Sequence, residues 1–221
     1  MNISRGLEYT VIENGVAILR GIGNCLDEHI VVPSTVQGYP VVGVAEKAFE
    51  RNDVIKSITL PCSVENIGKM AFAWCRNLES VRAEGVICID NRAFMGCDRL
   101  QILAFGDYLE TIGDKVFSYC AFLTSLTLPR HTETIGTAAF EGCRNLKKII
   151  LPSAVKIIEN STFYACTSLW SVKLPNHLEY IDEYAFAYCI SITEMNLSPK
   201  TVVNNDAFFE CGKLLGDGKV S

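Results

Sequence analysis

Residues 120–143, CAFLTSLTLPRHTETIGTAAFEGC, contain one complete copy of the pattern that decides the fold. The copy begins and ends on a cysteine, and its second half ends in the step Ala139-Phe140 followed by Cys143. The same Phe returns in steps of 22 or 23 residues, and a Cys follows it three residues later in every copy but the first, where Asn52 stands. The members of this series are Phe49, Phe72, Phe94, Phe117, Phe140, Phe163, Phe186 and Phe208. Eight cycles in phase predict an internal repeat.

The repeating unit reads C-x-x-L-x-x-[ILV]-x-L-P-x-x-[VL]-x-x-I-[GD]-x-x-A-F-x-x-C. A unit of this length cannot bury its own apolar face, whereas stacked copies build a continuous core from like residues of neighbouring coils. The L-x-x-L-x-L segment ends in alternation, which indicates a short strand with one buried face. Copies of that strand would stack as a parallel sheet, with strands roughly 4.8 Å apart. A second extended piece and a short helical or 3-10 turn at A-F-x-x-C would complete each coil.

This unit resembles the BspA-type, or treponemal-type, leucine-rich repeat of bacteria over roughly residues 30 to 215. The L-P step, the I-G step and the A-F-x-x-C ending occur together, and this combination is specific. The resemblance implies a right-handed solenoid of about eight coils, with the parallel sheet on its concave side. It also implies a cell-surface or secreted protein that adheres to host proteins, glycans or other cells.

The two ends depart from the unit. Residues 1–46 are predicted to form a hairpin cap and an irregular first coil, because Asn14-Gly15 lies between alternating apolar runs. Residues 47–215 form the repeat array, and residues 216–221 are a tail. No amphipathic helix is visible to cap the last coil, so self-association through this weakly capped end stays open.

Composition excludes several classes of protein. The chain has 221 residues, of which 49% are apolar and 20% charged, and its net charge of −5 offers no broad basic field for nucleic acid. No apolar run reaches the roughly 18 residues that a membrane span needs. The stretch from Met1 to Gly6 lacks the apolar region of a signal peptide, so none is predicted, and a cytoplasmic location stays open beside the surface location.

The cysteines and histidines suggest metal or disulfide chemistry, but their spacing argues against both. Seven of the ten cysteines share one repeat position, and a ladder along a line cannot give the four converging ligands of zinc. We expect these thiols to be reduced and buried as small hydrophobic groups. His131 and His177 lie two coils apart, and no catalytic motif occurs. We therefore predict no enzyme, no cofactor and no metal.

The candidate binding residues lie at outward positions of the predicted sheet, with Lys147 and Trp170 at the position that flanks them. The first coils offer mostly small hydroxyls there, whereas the coils from Leu146 to Val172 carry cations and an aromatic ring. The candidates are Lys147, Lys148, Ile150, Trp170, Lys173 and Asn196. An aromatic side chain among cations is the kind of anchor that interfaces use. The alternative is that Trp170 packs over a coil edge and the lysines only solvate an exposed sheet.

Two functions follow from these observations. The first is a non-catalytic module that binds a protein or glycan, and a partner of this patch would carry carboxylates or sulfates. The second is a structural spacer or scaffold with no dedicated ligand.

Overall fold

The structure is a computed structural model, which describes residues 2–193 and 195–211. Within these residues the strands, in chain order, are β1 (Glu8–Ile12), β2 (Val16–Gly21), β3 (His29–Val31), β4 (Thr35–Val36), β5 (Tyr39–Val44), β6 (Ser57–Thr59), β7 (Asn66–Ile67), β8 (Ser80–Ala83), β9 (Cys88–Ile89), β10 (Ile102–Phe105), β11 (Thr111–Ile112), β12 (Ser125–Thr127), β13 (Thr134–Ile135), β14 (Lys148–Ile150), β15 (Ile157–Ile158), β16 (Ser171–Lys173), β17 (Tyr180–Ile181) and β18 (Val202–Val203). The chain is a β-solenoid of about eight coils, as the repeat predicts.

The L-x-x-L-x-L segments form short parallel strands in two separate hydrogen-bonded sheets, which we together call the first sheet. Its strands pair in two groups, β3-β6-β8-β10 and β12-β14-β16. Equivalent residues face each other in register, as Leu126, Ile149 and Val172 do. These central residues are buried while the residues on either side point outward, because side chains alternate along a strand.

The second extended piece of each coil forms a second parallel sheet, in which every strand after β5 is a two-residue strand at the Ile position. It runs β2-β5-β7-β9-β11-β13 and continues in a separate group, β15-β17-β18. At its N-terminal end, β1 and β2 form an antiparallel hairpin around Gly15, and β2 then pairs with β5 in the parallel sense. The hairpin therefore extends the second sheet and pairs with its first edge.

The segments that end in A-F-x-x-C differ from the prediction. We call them turn arcs, and each runs from four residues before the repeat Phe to the residue at the Cys position. Among the described residues there is no helix, and consequently none long and apolar enough to cross a membrane. Around Phe72, every second N–H donates to a carbonyl of the next coil over 2.7–3.0 Å, and the intervening N–H groups close turns three residues back at 3.1 Å. Met70 and Trp74 take φ values of 55° and 63°. Left-handed residues at this spacing interrupt a right-handed helix, so the arcs become a third stacked ladder.

The core is a column of phenylalanine rings along the solenoid axis. All eight rings of the repeat stack in sequence, with centroids 5.1–5.7 Å apart and nearly parallel planes. Phe49 to Phe186 are fully buried, whereas Phe208 in the last coil is half-buried. The end of the predicted repeat array, including Leu214 and Leu215, and the predicted tail 216–221 lie outside the described residues.

The ladder cysteines have a polar role that the sequence does not reveal. Each thiol donates a hydrogen bond to the carbonyl of the Phe in the preceding coil, with Sγ to oxygen distances of 2.7–3.2 Å. A thiol is a weak donor on a small apolar side chain, so it satisfies a buried carbonyl at little cost in desolvation. Burial raises the pKa of Cys143 to about 12, which suppresses the reactive thiolate.

We predict that a thiol reagent will modify the cysteines of the native protein very unequally. Cys62 is exposed and should react first, and the partly exposed Cys88 should react more slowly. The seven ladder thiols and Cys25 are buried and should react only after denaturation. Timed labelling followed by peptide mass spectrometry measures this order. Rapid native labelling of Cys97, Cys120 or Cys143, or a disulfide between ladder cysteines, would contradict the prediction.

Candidate ligand-binding face

The outward face of the first sheet changes character along the solenoid. Near the N-terminus, a depression is lined by polar residues such as His29, Ser57 and Arg82 and by apolar residues such as Ile102 and Ala104. The Nδ1 atom of His29 lies 2.9 Å from the hydroxyl of Ser57. Arg82 forms an ion pair with Glu84 at 3.0 Å, so its charge is already compensated. This half of the face has little net charge to offer a ligand.

The C-terminal half of the face contains most of the predicted site. Lys148 and Ile150 lie on β14, opposite Ser171 and Lys173 on β16, and all but Ser171 are well exposed. Ile150 is 62% exposed, which is unusual for a β-branched residue in a sheet. Trp170 immediately precedes β16, and its backbone N–H donates to the backbone carbonyl of Lys147 at 3.1 Å. We call Lys147, Lys148, Ile150, Trp170 and Lys173 the basic patch.

Trp170 is held by an internal contact. The ammonium of Lys148 lies 4.2 Å from the centroid of the indole ring, within the range of a cation–π interaction. The ring is nevertheless 40% exposed. The contact fixes Lys148 and Trp170 relative to each other, which reduces the side-chain entropy that a ligand would have to restrain.

The lysines of the basic patch are electrostatically uncompensated in the described part of the chain. None of the five ion pairs found there involves Lys147, Lys148 or Lys173. The protein has a net charge of −5, but the three lysines make a local positive field. Because salt screens this field, an anionic ligand would be attracted by it only at close range.

Two residues change the predicted set. Asn196 is exposed, but it follows the buried Met195 outside the strands described, so the structure does not bring it into the sheet. Arg130 was missed, although it lines the same depression as Lys148, Ile150 and Lys173. Its signal in the sequence is its place directly after Leu128-Pro129, at the end of the strand next to β14.

Nothing in the described part of the chain assembles into a metal centre, since no three His, Cys, Asp or Glu side chains converge there. Of the buried polar side chains described in the array, Thr132 and Thr162 donate to backbone carbonyls, whereas Ser118 donates to the carboxylate of Glu141 at 3.2 Å. Thr132, for example, donates to the carbonyl of Leu109 in the preceding coil at 2.9 Å.

Comparison with known proteins identifies what this chain is similar to. A family model described as the BspA type leucine rich repeat region matches six copies, over residues 42–130 and 87–215. The crystal structure of the T. pallidum leucine rich repeat protein is 30% identical, with a TM-score of 0.79 over 86% of this chain and 89% of that one. A leucine-rich repeat protein from Bacteroides ovatus is 23% identical, with a TM-score of 0.69 over 96% of this chain and 69% of its own, and shows the same fold. A search of curated proteins found no match.

Proposed function

Because this chain belongs to the BspA-type leucine-rich repeat family, we propose that it is a non-catalytic binding module whose basic patch recognises an anionic protein or glycan. The family as a whole supports a protein-binding or scaffolding repeat module. The observation that supports a binding role for this particular face is the group of three lysines beside Trp170, none of which forms an ion pair within the described residues.

The chemistry of the patch suits carboxylates or sulfates. A lysine ammonium is a point charge with three hydrogen-bond donors. It can therefore bind anions in many geometries and does not need a planar, bidentate partner. Exposed Ile150 and the indole of Trp170 add apolar contact beside those charges. Repeating anionic ligands, such as a sulfated glycan or an acidic peptide, match charges spaced along a sheet.

The resemblance to BspA-type proteins supports a place at the cell surface or in the secreted fraction, with adhesion as the biological role. The alternative function is a structural spacer or scaffold. Its support is the Lys148–Trp170 contact itself, which already gives the exposed indole an intramolecular partner.

We predict that reversing the two sheet lysines will weaken binding to an anionic probe. Lys148→Glu combined with Lys173→Glu should elute from an immobilised heparin column at clearly lower salt than the parent chain, because the attraction becomes a repulsion. The matched control is Lys69→Glu combined with Lys200→Glu, which gives the same net charge from exposed positions outside the first sheet. A polyglutamate peptide in place of heparin separates recognition of sulfate from recognition of carboxylate.

The two functions give different results in this experiment. If the sheet variant and the control elute together, net charge alone sets retention, and the basic patch is not a binding site. If the parent chain is not retained at low salt, the scaffold function is favoured.

A further inference from the structure

Four aromatic rings meet on the outer surface of the last three turn arcs. Tyr188 lies between Tyr164 and Phe209, with ring centroids 5.3 and 5.7 Å away, and Tyr184 lies 6.2 Å from Phe209. All three contacts are edge-to-face, at 73–89° between planes. We call these four residues the aromatic cluster. Packing of this kind holds the rings in fixed orientations while leaving part of their faces open.

The aromatic cluster is separate from the phenylalanine column of the core. Tyr188 is 38% exposed and Phe209 44% exposed, whereas the repeat Phe of each preceding coil is fully buried. Tyr188 also takes a left-handed φ of 60°. Exposed tyrosines with restrained side chains are typical anchors of protein interfaces, since little entropy is lost when a partner covers them.

The turn arcs that carry the aromatic cluster contain carboxylates and no cation. The last three arcs, residues 159–166, 182–189 and 204–211, contain no Lys, Arg or His. Their acidic residues are Glu159, Asp182, Glu183, Asp206 and Glu210. None of these five takes part in an ion pair within the described chain. By contrast, each of the first four arcs carries a cation, in turn Lys47, Lys69, Arg92 and Lys115.

The negative potential of this surface is visible in its titratable groups. The carboxylates of Glu183 and Asp206 raise the pKa of Tyr184. Burial, and then the charges of Asp182 and Asp114, raise the pKa of Glu159. A positive charge placed here would offset the contribution of the neighbouring carboxylates to both shifts, but not the effect of burial on Glu159.

We propose that the aromatic cluster and its carboxylates form a second binding surface, whose occupant is an arginine-bearing segment of a protein partner. A guanidinium lies flat on an aromatic face and at the same time donates in its own plane to carboxylates, so it uses both features of this surface. A lysine ammonium pairs with the carboxylates but stacks less well on the rings. This surface is opposite in sign to the basic patch and lies on the turn arcs, so either can fail without the other.

The test is binding of a fluorescein-labelled hexa-arginine peptide to the full chain, measured by fluorescence anisotropy at low salt. Tyr188→Leu should weaken binding by about tenfold, the order expected when a partly desolvated cation–π contact is lost. Tyr188→Phe keeps the ring and should bind within about twofold of the parent chain. Asp206→Asn combined with Glu210→Gln should also weaken binding and reduce its dependence on salt. Circular dichroism melting of each variant confirms that the coils remain folded.

Two controls separate a built surface from general charge attraction. Glu13→Gln combined with Glu65→Gln removes the same amount of charge from exposed carboxylates far from the last arcs, and should leave binding unchanged. A hexa-lysine peptide should bind more weakly than hexa-arginine.

Three results would overturn the proposal. The first is equal affinity of hexa-lysine and hexa-arginine, and the second is an unchanged affinity in a folded Tyr188→Leu chain. The third is a dimer of the parent chain that Tyr188→Leu dissociates in sedimentation, because the surface would then be occupied by a second copy.

Discussion

Replacing Phe140 with alanine is expected to lower the free energy of unfolding by about 3–5 kcal/mol, the range for emptying a packed aromatic site. The ring is fully buried and stacks between Phe117 and Phe163, with both centroids 5.4 Å away. Removing it leaves a gap in the middle of the column. The ladder of turn arcs is hydrogen-bonded on both sides of Phe140 and resists closure of that gap.

The matched variant is Phe208→Ala at the end of the column. Phe208 contacts only one repeat ring among the described residues, Phe186 at 5.3 Å, and it is half-buried. Its loss should therefore cost clearly less. Urea unfolding followed by far-ultraviolet circular dichroism measures both variants. Equal costs would mean that the column does not end at Phe208.

The fold could be predicted because like residues stack on like residues. In a parallel solenoid, a position kept in phase in the sequence becomes a column in space, so Phe49 to Phe208 had to form a single stack. The strand register followed for the same reason, and Ile149 indeed pairs between Leu126 and Val172. The ring stack and the strand register follow from the repeat alone and can be predicted without coordinates.

The turn arcs could not be predicted, because nothing in the sequence marks their left-handed residues. Positive φ falls on Met70, Trp74, Lys115 and other residues that rarely adopt it, and the ladder between coils stabilises them there. The thiol hydrogen bonds were missed for a related reason. They depend on which carbonyl lies above each Cys, and the periodicity of the sequence does not specify this.

The candidate site also has features that the sequence predicts and features that only the coordinates show. Outward positions such as Lys148, Ile150 and Lys173 follow from strand alternation, whereas the contact between Lys148 and Trp170 is diagonal and needs coordinates. The aromatic cluster was invisible for a stronger reason. Tyr164 and Phe209 directly follow the repeat Phe, Tyr188 lies two residues after it and Tyr184 two before it, so the four do not form a column in the aligned repeats.

A second large effect is expected at Gly85, which lies in a coil one residue shorter than its predecessor. Phe72 and Phe94 are separated by 22 residues, not 23, and the residue is lost between β8 and β9. A Cβ added at Gly85 would lie 1.9 Å from the carbonyl oxygen of Cys62. That atom belongs to the backbone of the neighbouring coil, so a change of rotamer cannot relieve the overlap.

Gly85→Ala should therefore lower the free energy of unfolding by about 3 kcal/mol, the upper part of the range for overpacking a core. Gly43→Ala is the matched control, since a Cβ there meets the movable end of the Ile18 side chain at 3.3 Å and no backbone atom closer than 3.5 Å. It should change the free energy of unfolding by less than about 1 kcal/mol. Alanine lowers the conformational entropy of the unfolded chain, and this gain offsets the small cost of moving the Ile18 side chain. Both variants are compared by the midpoint of urea unfolding at constant slope. Similar midpoints for the two variants would show that the short coil has room to move away from Cys62, and that coil spacing is less rigid than the stacked ladders imply.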